Sequence, residues 1–377
     1  MENQPIDTHS ATDKKPAVEK YFNAAIKMEA SDLHLKGNQL PRLRIGGHLR
    51  ETTGSEISQA RLEEMVFEFL SIDQKKFFLE HGAIDLAYDM GETDRFRVNI
   101  FRQRGNISLA ARRVTSIIPA FESLYLPQAV EDISQFHQGL ILVTGVTGSG
   151  KSTTIASMLN HINHNRSCHI LTVEDPIEYI YKDAKALINQ REIGVDVPSF
   201  DEALRSFMRE DPDVVLVGEM RDYITLNAGL KAAETGHQVF ATLHSTDAYQ
   251  TITRILDLTP QVERHMIRQA LVGNLKAIIS QRLLPTIRED PKRVPAVEIL
   301  IINAAARKLI QEEREVDVGT IIKNSYADGM VDYTESLRQL VEKEFIDLKT
   351  AYDYASNPDE LKMALKGIKS ATSGILG

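Results

Sequence analysis

Residues 145–152 read GVTGSGKS and fit the pattern G-x-x-x-x-G-K-[ST]. An apolar run precedes them and the helix-compatible sequence STTIASML overlaps their end, a context that favours a phosphate-binding loop over a plain glycine-rich turn. In such a loop the backbone N–H groups face phosphate oxygens, the lysine reaches the β- and γ-phosphates, and the hydroxyl after it binds Mg²⁺. We therefore predict that the chain binds ATP and Mg²⁺, with nucleotide contacts from Gly145, Val146, Thr147, Gly148, Ser149, Gly150, Lys151, Ser152 and Thr153.

Acidic segments follow two other apolar runs, at residues 174–178 (EDPIE) and 218–222 (GEMRD). Ligands bind at the carboxyl ends of strands in open α/β sheets, so these acids are candidates for positioning water and metal. The usual metal-side carboxylate closes a run of four apolar residues, but here Gly218 takes that position and Glu219 follows. From there a carboxylate can reach Mg²⁺ through a water, and we predict Ser152 and Glu219 as metal ligands. The alternative is that these acids only cap helices or make strand ends soluble.

Two histidines bracket the next apolar run, in the sequences Thr235-Gly-His237 and Thr242-Leu-His244. An imidazole at either position can sense the γ-phosphate and report its hydrolysis to the sheet. The alternative is that both are ordinary strand-end histidines with satisfied hydrogen bonds.

Arginines recur in the N-terminal third of the chain, and the alternation of RFRVNIF places Arg95 and Arg97 on one face of a strand with Phe96 and Val98 on the other. An arginine there can cross a subunit interface and stabilise the phosphate being transferred in a neighbouring site. A solvated basic face and nucleic-acid binding are the alternatives. The stretch has few aromatic residues and the whole chain is acidic, so we expect no nucleic-acid partner.

The elements that position these residues follow from the apolar pattern. Near-continuous apolar runs at residues 139–145, 169–175, 213–219 and 238–244 alternate with helical sequences, which predicts a buried parallel sheet with βαβ connections. Residues 303–366 read as a run of helices.

The N-terminal part of the chain has a different pattern. Residues 31–35 and 41–49 read as strands, the second with a hairpin turn at Gly46-Gly47, and a helical segment at residues 58–70 precedes two more alternating stretches. This predicts an antiparallel sheet in a small α/β domain. We divide the chain into a tail (1–16), this N-terminal domain (17–118), a linker (119–127), an ATPase domain with C-terminal helices (128–366) and a second tail (367–377).

Composition excludes several classes of protein. The formal net charge is −9 and the pI is about 5.7, a poor match for a protein that wraps nucleic acid. The single cysteine, Cys168, excludes an intrachain disulfide and a tetracysteine zinc site. We find no signal peptide and no run of roughly 18 apolar residues. We therefore expect a cytoplasmic protein that meets a membrane only peripherally.

Together these motifs resemble the PilT family, the retraction ATPases of type IV pili, within the secretion ATPase superfamily. The resemblance extends from about residue 21 to residue 366. It rests on eight segments in the same order: SDLHL, RFRVNIF, VTGVTGSGKSTT, ILTVEDPIEY, INQREIG, SFMREDPDVVLVGEMRD, AAETGHQVFATLHSTDA and ISQRLL. One departure is AARKLIQE at residues 305–312, where the family signature is AIRNLIRE and Gln311 replaces a basic residue.

The resemblance implies a PAS-like N-terminal α+β domain and a RecA-like P-loop ATPase domain, assembled as a homohexamer with nucleotide at subunit boundaries. It also implies that Glu178 is the general base for the attacking water and that Glu219 is the metal-side glutamate, alongside the catalytic Lys151. The remaining residues that it implies are His237 and His244 of a histidine box, and Arg97 and Arg113 from the stretch that reaches a neighbour's nucleotide.

The function that the resemblance implies is retraction of type IV pili, powered by ATP hydrolysis and acting through an inner-membrane platform protein at the inner face of that membrane. A second retraction ATPase is a further expected partner. One alternative is an accessory retraction ATPase of the PilU kind. Another is a pilus assembly or type II secretion ATPase, but those carry a larger N-terminal region and a tetracysteine zinc element that this sequence lacks. A nucleic-acid translocase on a similar core is disfavoured by the acidic charge.

Overall fold

The computed structural model describes residues 16–91, 94–115, 117–207 and 209–367, so the two predicted tails lie almost wholly outside the described residues. The chain divides into two compact units, the first ending at residue 116 and the second beginning at Ile117. The stretch 119–127, predicted as a linker, belongs to the second unit. Within it Phe121–Leu124 form a short helix, and the Pro119 carbonyl accepts a hydrogen bond from Ser157 Oγ at 2.7 Å.

In the described part of the N-terminal unit, six antiparallel strands form one sheet in the order β3-β2-β1-β6-β5-β4. The predicted hairpin turn is confirmed, because Gly46 and Gly47 both have positive φ between β2 and β3. The strands are β1 (Asp32–Lys36), β2 (Arg42–Ile45), β3 (His48–Glu51), β4 (Ala83–Met90), β5 (Asp94–Gln103) and β6 (Asn106–Thr115).

One face of this sheet is apolar because the strands alternate. Phe96 and Val98 of β5 and Leu33 of β1 are buried there together with Phe22 of the first helix. The helices of this unit are α1 (Glu19–Lys27), α2 (Gln59–Phe69) and α3 (Ile72–His81). Helix α3 was not predicted, since of its residues only Phe78 is buried and it shows no apolar stripe.

In the second unit a seven-stranded sheet has the order β13-β12-β7-β11-β10-β8-β9 within the described residues, and its neighbours pair in parallel except β12 with β13. The four predicted strands are confirmed, and three more were not predicted. The strands are β7 (Gly139–Thr144), β8 (His169–Glu174), β9 (Leu187–Glu192), β10 (Val214–Val217), β11 (Gln238–Leu243), β12 (Leu275–Pro285) and β13 (Arg293–Ile301).

Helices cover both faces of this sheet, as a buried parallel sheet requires. In β7, Leu140 and Leu142 pack towards one layer while Ile141 and Val143 pack towards the other. The predicted run of C-terminal helices is confirmed. The helices are α4 (Phe121–Leu124), α5 (Gln128–Ser134), α6 (Lys151–Asn165), α7 (Phe200–Phe207), α8 (Tyr223–Glu234), α9 (Ala248–Leu258), α10 (Arg264–Asn274), α11 (Ala304–Gln311), α12 (Val318–Asn324), α13 (Tyr333–Glu342), α14 (Leu348–Tyr354) and α15 (Pro358–Leu365).

No helix in the described part of the chain is both long and apolar enough to cross a bilayer.

Candidate active site

The glycine-rich loop connects the end of β7 to the start of α6, and two of its glycines are required by geometry. Gly145 and Gly150 have φ values of 148° and 92°, which side-chain-bearing residues rarely adopt. A Cβ on Gly145 would lie 2.4 Å from the Gln281 carbonyl oxygen, and one on Gly150 would lie 2.7 Å from Gln281 Nε2. The loop therefore runs directly against β12, and any larger residue would push it away.

Lys151, the first residue of α6, is held inside the loop. Its Nζ donates to the carbonyl oxygens of Gly145 at 2.9 Å and Val146 at 3.2 Å. Burial lowers the pKa of Lys151, and the nearby charges of Glu219 and Glu178 oppose that shift. The lysine is thus a largely desolvated cation, which favours an interaction with phosphate, whereas the negative charges of Glu219 and Glu178 oppose one.

A cavity of about 570 Å³ opens above the loop and collects most of the predicted site residues. Its walls come from the carboxyl ends of β8, β10 and β11, where the topology of a parallel sheet places ligands. Among the residues around it are Thr147, Gly148, Gly150, Lys151, Ser152, Thr153, Glu178, Glu219 and His244. Gly145, Val146 and Ser149 face a neighbouring cavity of about 280 Å³ on the other side of the loop.

The structure explains why glycine precedes Glu219, the predicted metal-side glutamate. A Cβ at Gly218 would lie 3.1 Å from both the Val173 carbonyl oxygen and the Glu174 Cα, because the ends of β10 and β8 approach closely there. The Gly218 carbonyl also accepts a hydrogen bond from Thr242 Oγ1 at 2.6 Å. A side chain at position 218 would press on β8, so the carboxylate is supplied by Glu219.

Glu219 is the centre of a charged cluster. Arg221 Nε donates to Glu219 Oε2 at 2.8 Å, and His244 Nε2 lies 3.3 Å from Glu219 Oε1. Arg221 also donates to Asp175 Oδ2 at 3.2 Å, which connects the ends of β10 and β8. The bond to Glu219 raises the pKa of Arg221. The structural roles of Arg221 and Asp175 were not predicted, although both lie in acidic segments that the sequence singles out.

A second carboxyl group in the cavity wall, Glu174, is almost fully buried at the end of β8. It accepts hydrogen bonds from Thr172 Oγ1 at 2.6 Å and from Gln190 Nε2 at 3.3 Å. Burial nevertheless raises the pKa of Glu174 to about 7. The site therefore holds, next to Glu178, a carboxyl whose pKa is near neutral pH. The sequence singles out Glu178 as the general base and gives no indication of the pKa shift at Glu174.

Comparisons with known proteins agree with this geometry. The family described as type II/IV secretion system protein matches residues 8–351. The chain belongs to that family. It is 40% identical to the type IV pilus retraction ATPase PilT of Pseudomonas aeruginosa, over 88% of this chain and 96% of the relative. It is 32% identical to the type IV pilus ATPase PilU of the same organism, over 92% and 91%.

A crystal structure of the pilus retraction motor PilT with bound ADP is similar to this fold, with a TM-score of 0.84 and 40% identity over 93% of this chain and 99% of that one. The resemblance to the PilT family and the predicted fold class are confirmed. The chain is an ATP-hydrolysing secretion and retraction ATPase of this family.

The two histidines of the family's histidine box lie at opposite ends of β11. His244 follows the strand and contacts Glu219, whereas His237 precedes it. Seven residue steps separate them, which is about 23 Å at roughly 3.3 Å per residue. His237 Nδ1 instead lies 3.0 Å from Thr235 Oγ1 and 2.9 Å from the Ala232 carbonyl at the end of α8. Within one subunit the structure does not bring His237 to the cavity.

The two arginines predicted to reach a neighbour lie on opposite faces of the N-terminal sheet. Arg113 is directly opposite the buried Phe96 in the β5–β6 register, and its Nε donates to Asp94 Oδ1 at 2.6 Å. Arg97 is opposite Arg112 on the other face. Arg112 is in turn bound to Asp32 of the SDLHL segment at 2.9 Å. The two residues therefore cannot act as a pair on one ligand, and Arg97 is the one on the face opposite the buried Phe96.

Proposed function

We propose that this chain is the motor subunit that powers retraction of type IV pili, working as a homohexamer that hydrolyses ATP. The observation that carries the proposal is the 40% identity to a PilT retraction ATPase along 96% of that protein's length. The lower identity to PilU, 32%, favours the PilT role over the accessory role.

The residues around the cavity support a defined division of work. Phosphoryl transfer to water depends on positioning and charge stabilisation. The loop from Gly145 to Ser152 holds the phosphates with its backbone N–H groups and with Lys151. Glu178 orients the attacking water and accepts its proton. His244 and Arg221 hold the Glu219 carboxylate in place.

The oxygen donors in the cavity suit Mg²⁺. Ser152 offers a hydroxyl and Glu219 a carboxylate, and both line the cavity. Among the described residues no group of three or more His, Cys, Asp or Glu side chains could hold a metal by itself. Mg²⁺ usually takes one or two protein oxygens together with phosphates and waters, so this sparse set fits. When bound, the ion would neutralise charge on the transferring phosphate.

A neighbouring subunit supplies the last cation in this proposal. Arg97 lies on the polar face of the N-terminal sheet and is the better placed of the two predicted arginines, because Arg113 is already paired with Asp94. We place the ring on the cytoplasmic side of the inner membrane, where it acts through a platform protein. A second retraction ATPase is a further partner in this proposal.

Deletion of the gene in its own organism tests the function. Loss of a retraction motor should give cells with more surface pili and no twitching motility, because assembly continues without disassembly. Loss of an assembly ATPase should instead give cells without pili, and that result would overturn the proposal.

Complementation with variants tests the site. Lys151→Ala should abolish turnover and fail to restore motility. Glu178→Ala should still bind ATP, hydrolyse it at least about 100-fold more slowly and also fail. Equal loss of ATP affinity in both variants would contradict the division of roles. Restored motility with a hydrolysis-deficient variant would favour the accessory role.

A further inference from the structure

The side chain of Gln281 in β12 lies against the phosphate-binding loop. Gln281 Nε2 donates to the Ser149 carbonyl at 2.7 Å, and its Oε1 accepts from Thr154 Oγ1 in α6 at 2.8 Å. The residue is 3% exposed. A single buried amide therefore fixes both the loop backbone and the first turns of the helix that follows it.

The backbone of β12 constrains the same loop. The Gln281 carbonyl oxygen is so close to Gly145 that a Cβ there would lie 2.4 Å from it. Next to this contact, Ser280 Oγ lies 2.9 Å from Thr144 Oγ1, the residue at which β7 ends and the loop begins. Any displacement of β12 at this point is therefore passed to the loop.

The next residue in the strand, Arg282, is directed towards the C-terminal helices, since successive strand residues face opposite sides. Its NH1 donates to the Tyr354 carbonyl at the end of α14 at 3.0 Å, and its guanidinium lies 4.1 Å from the ring centroid of Tyr333 at the start of α13. The C-terminal helices also pack on Leu284 of β12 and Val294 of β13.

A cavity of about 280 Å³ separates the back of the loop from Tyr354. The loop and α14 therefore do not pack tightly on each other there. Gln281 and Arg282 bridge this gap through adjacent positions of one strand.

We propose that Gln281 is a positioning residue that holds the phosphate-binding loop ready for nucleotide, and that Arg282 couples this residue to the C-terminal helices. Docking of α13 and α14 then sets the affinity for nucleotide. This inference rests on the ATPase function, and it adds a route by which an event at the C-terminal helices reaches the phosphates. A purely structural role is the competing explanation, because buried glutamines commonly satisfy backbone groups.

The chain offers a matched control for Gln281. Gln238, in β11 of the same sheet, is also buried, and its Nε2 donates to the Ser134 carbonyl at 2.9 Å. It is the first residue of its strand, at the end of the strand that is away from the loop. Gln281→Met and Gln238→Met thus each remove a buried amide, one beside the loop and one far from it. Gln238 Oε1 also accepts from Arg166 NH1 at 2.6 Å, so its loss should cost at least as much stability.

The first test compares these variants of the full chain by ADP binding, by the KM for ATP and by thermal unfolding without nucleotide. Both should lower the unfolding temperature, but only Gln281→Met should raise the ADP Kd and the KM, by about tenfold or more, which is about 1.4 kcal/mol. A rise in Kd no larger than that of Gln238→Met would overturn the positioning role. If Gln281→Met does not fold, Gln281→Glu keeps the size and the acceptor for Thr154 and is judged by the same criterion.

The coupling to the C-terminal helices has its own matched control in Arg288. This arginine follows β12, lies 3.8 Å from the ring centroid of Phe345 and donates to the Glu344 carbonyl at 3.0 Å. It therefore contacts the connection between α13 and α14 at a point that is distant from the phosphate-binding loop. Arg282→Met should raise the ADP Kd at least about threefold, while Arg288→Met stays within about twofold of the wild type. Equal effects of the two variants, or no effect of Arg282→Met, would overturn the coupling.

A double variant tests the route through Gln281. Two residues in one pathway are not additive. In the Gln281→Met background, Arg282→Met should therefore cause little further rise in Kd, and full additivity would overturn the proposed route. A wild-type chain that binds no ADP would instead overturn the proposed function itself, which separates the two failures.

Discussion

Glu174 offers a direct test of the electrostatics of the site. Replacing Glu174 by glutamine imitates its protonated form, since the amide oxygen of the new side chain can still accept from Thr172 and Gln190 as the carboxyl does. Burial raises the pKa of Glu174 from its ordinary value of 4.5 to about 7. The folded protein therefore keeps a proton that the unfolded chain loses between these two values. Folding stability from this group is fully present below pH 4.5 and is lost as pH rises through 7.

The size of the effect follows from the same values. At 1.36 kcal/mol for each pH unit, a rise from 4.5 to about 7 corresponds to roughly 3 kcal/mol once the group is ionised in both states. Between about pH 6 and about pH 8.5, the stability that Glu174 contributes falls by about 1.4 kcal/mol. Glu174→Gln has no carboxyl at this position. Over the same pH range its free energy of unfolding should therefore fall less than that of the wild type, and the difference should be about 1.4 kcal/mol.

Urea unfolding at about pH 6, 7 and 8.5, followed by circular dichroism, measures the free energy of unfolding of both proteins. Hydrogen exchange of peptides from β8 then identifies which unfolding transition belongs to the second unit. Tryptophan fluorescence is not an option, because the sequence contains no tryptophan. Other titrating groups, such as the buried Glu298, are the same in both proteins and cancel in the comparison. Parallel pH profiles for wild type and variant would refute the argument, since Glu174 would then carry its charge in the folded state.

Two further predictions test other features of the site. Gly218→Ala should cost about 1–3 kcal/mol, because its Cβ would press on the backbone of β8 at 3.1 Å. Thermal unfolding measures this loss of stability. The control is Gly319→Ala in α12, where no atom lies within 4 Å of an added Cβ, and it should be neutral or stabilising. Equal losses of stability at both positions would contradict the steric explanation. His244→Ala should lower the ATP turnover rate about 10–100-fold, because His244 contacts Glu219, which we propose as a metal ligand. His237→Ala should have a smaller effect, and a loss as large as that of His244→Ala would mean that His237 acts at another subunit's site.

The parts of the fold that were predicted are those with a strong local signal. The β7 strand and the loop after it combine an apolar run, fixed glycines and a helix start, which are adjacent in the sequence and need no long-range contact. The strand β12 was missed because Ser280 and Gln281 interrupt its apolar pattern. Those polar residues are buried with hydrogen-bonding partners at the end of β7 and in the loop after it, and the sequence alone does not reveal that pairing.

The amino-acid sequence was enough to predict the groups of the candidate site: a phosphate-binding loop, acidic groups at strand ends and a histidine after β11. Which of these residues meet depends on the folded chain. Folding brings His244 into contact with Glu219 and leaves His237 at the opposite end of β11. The two ends of a six-residue strand are too far apart to bind one ligand. The register of β5 and β6 separates Arg97 from Arg113. Packing also leaves Glu174 buried and titrating near neutral pH, because desolvation depends on the atoms around a carboxyl and not on its neighbours in sequence.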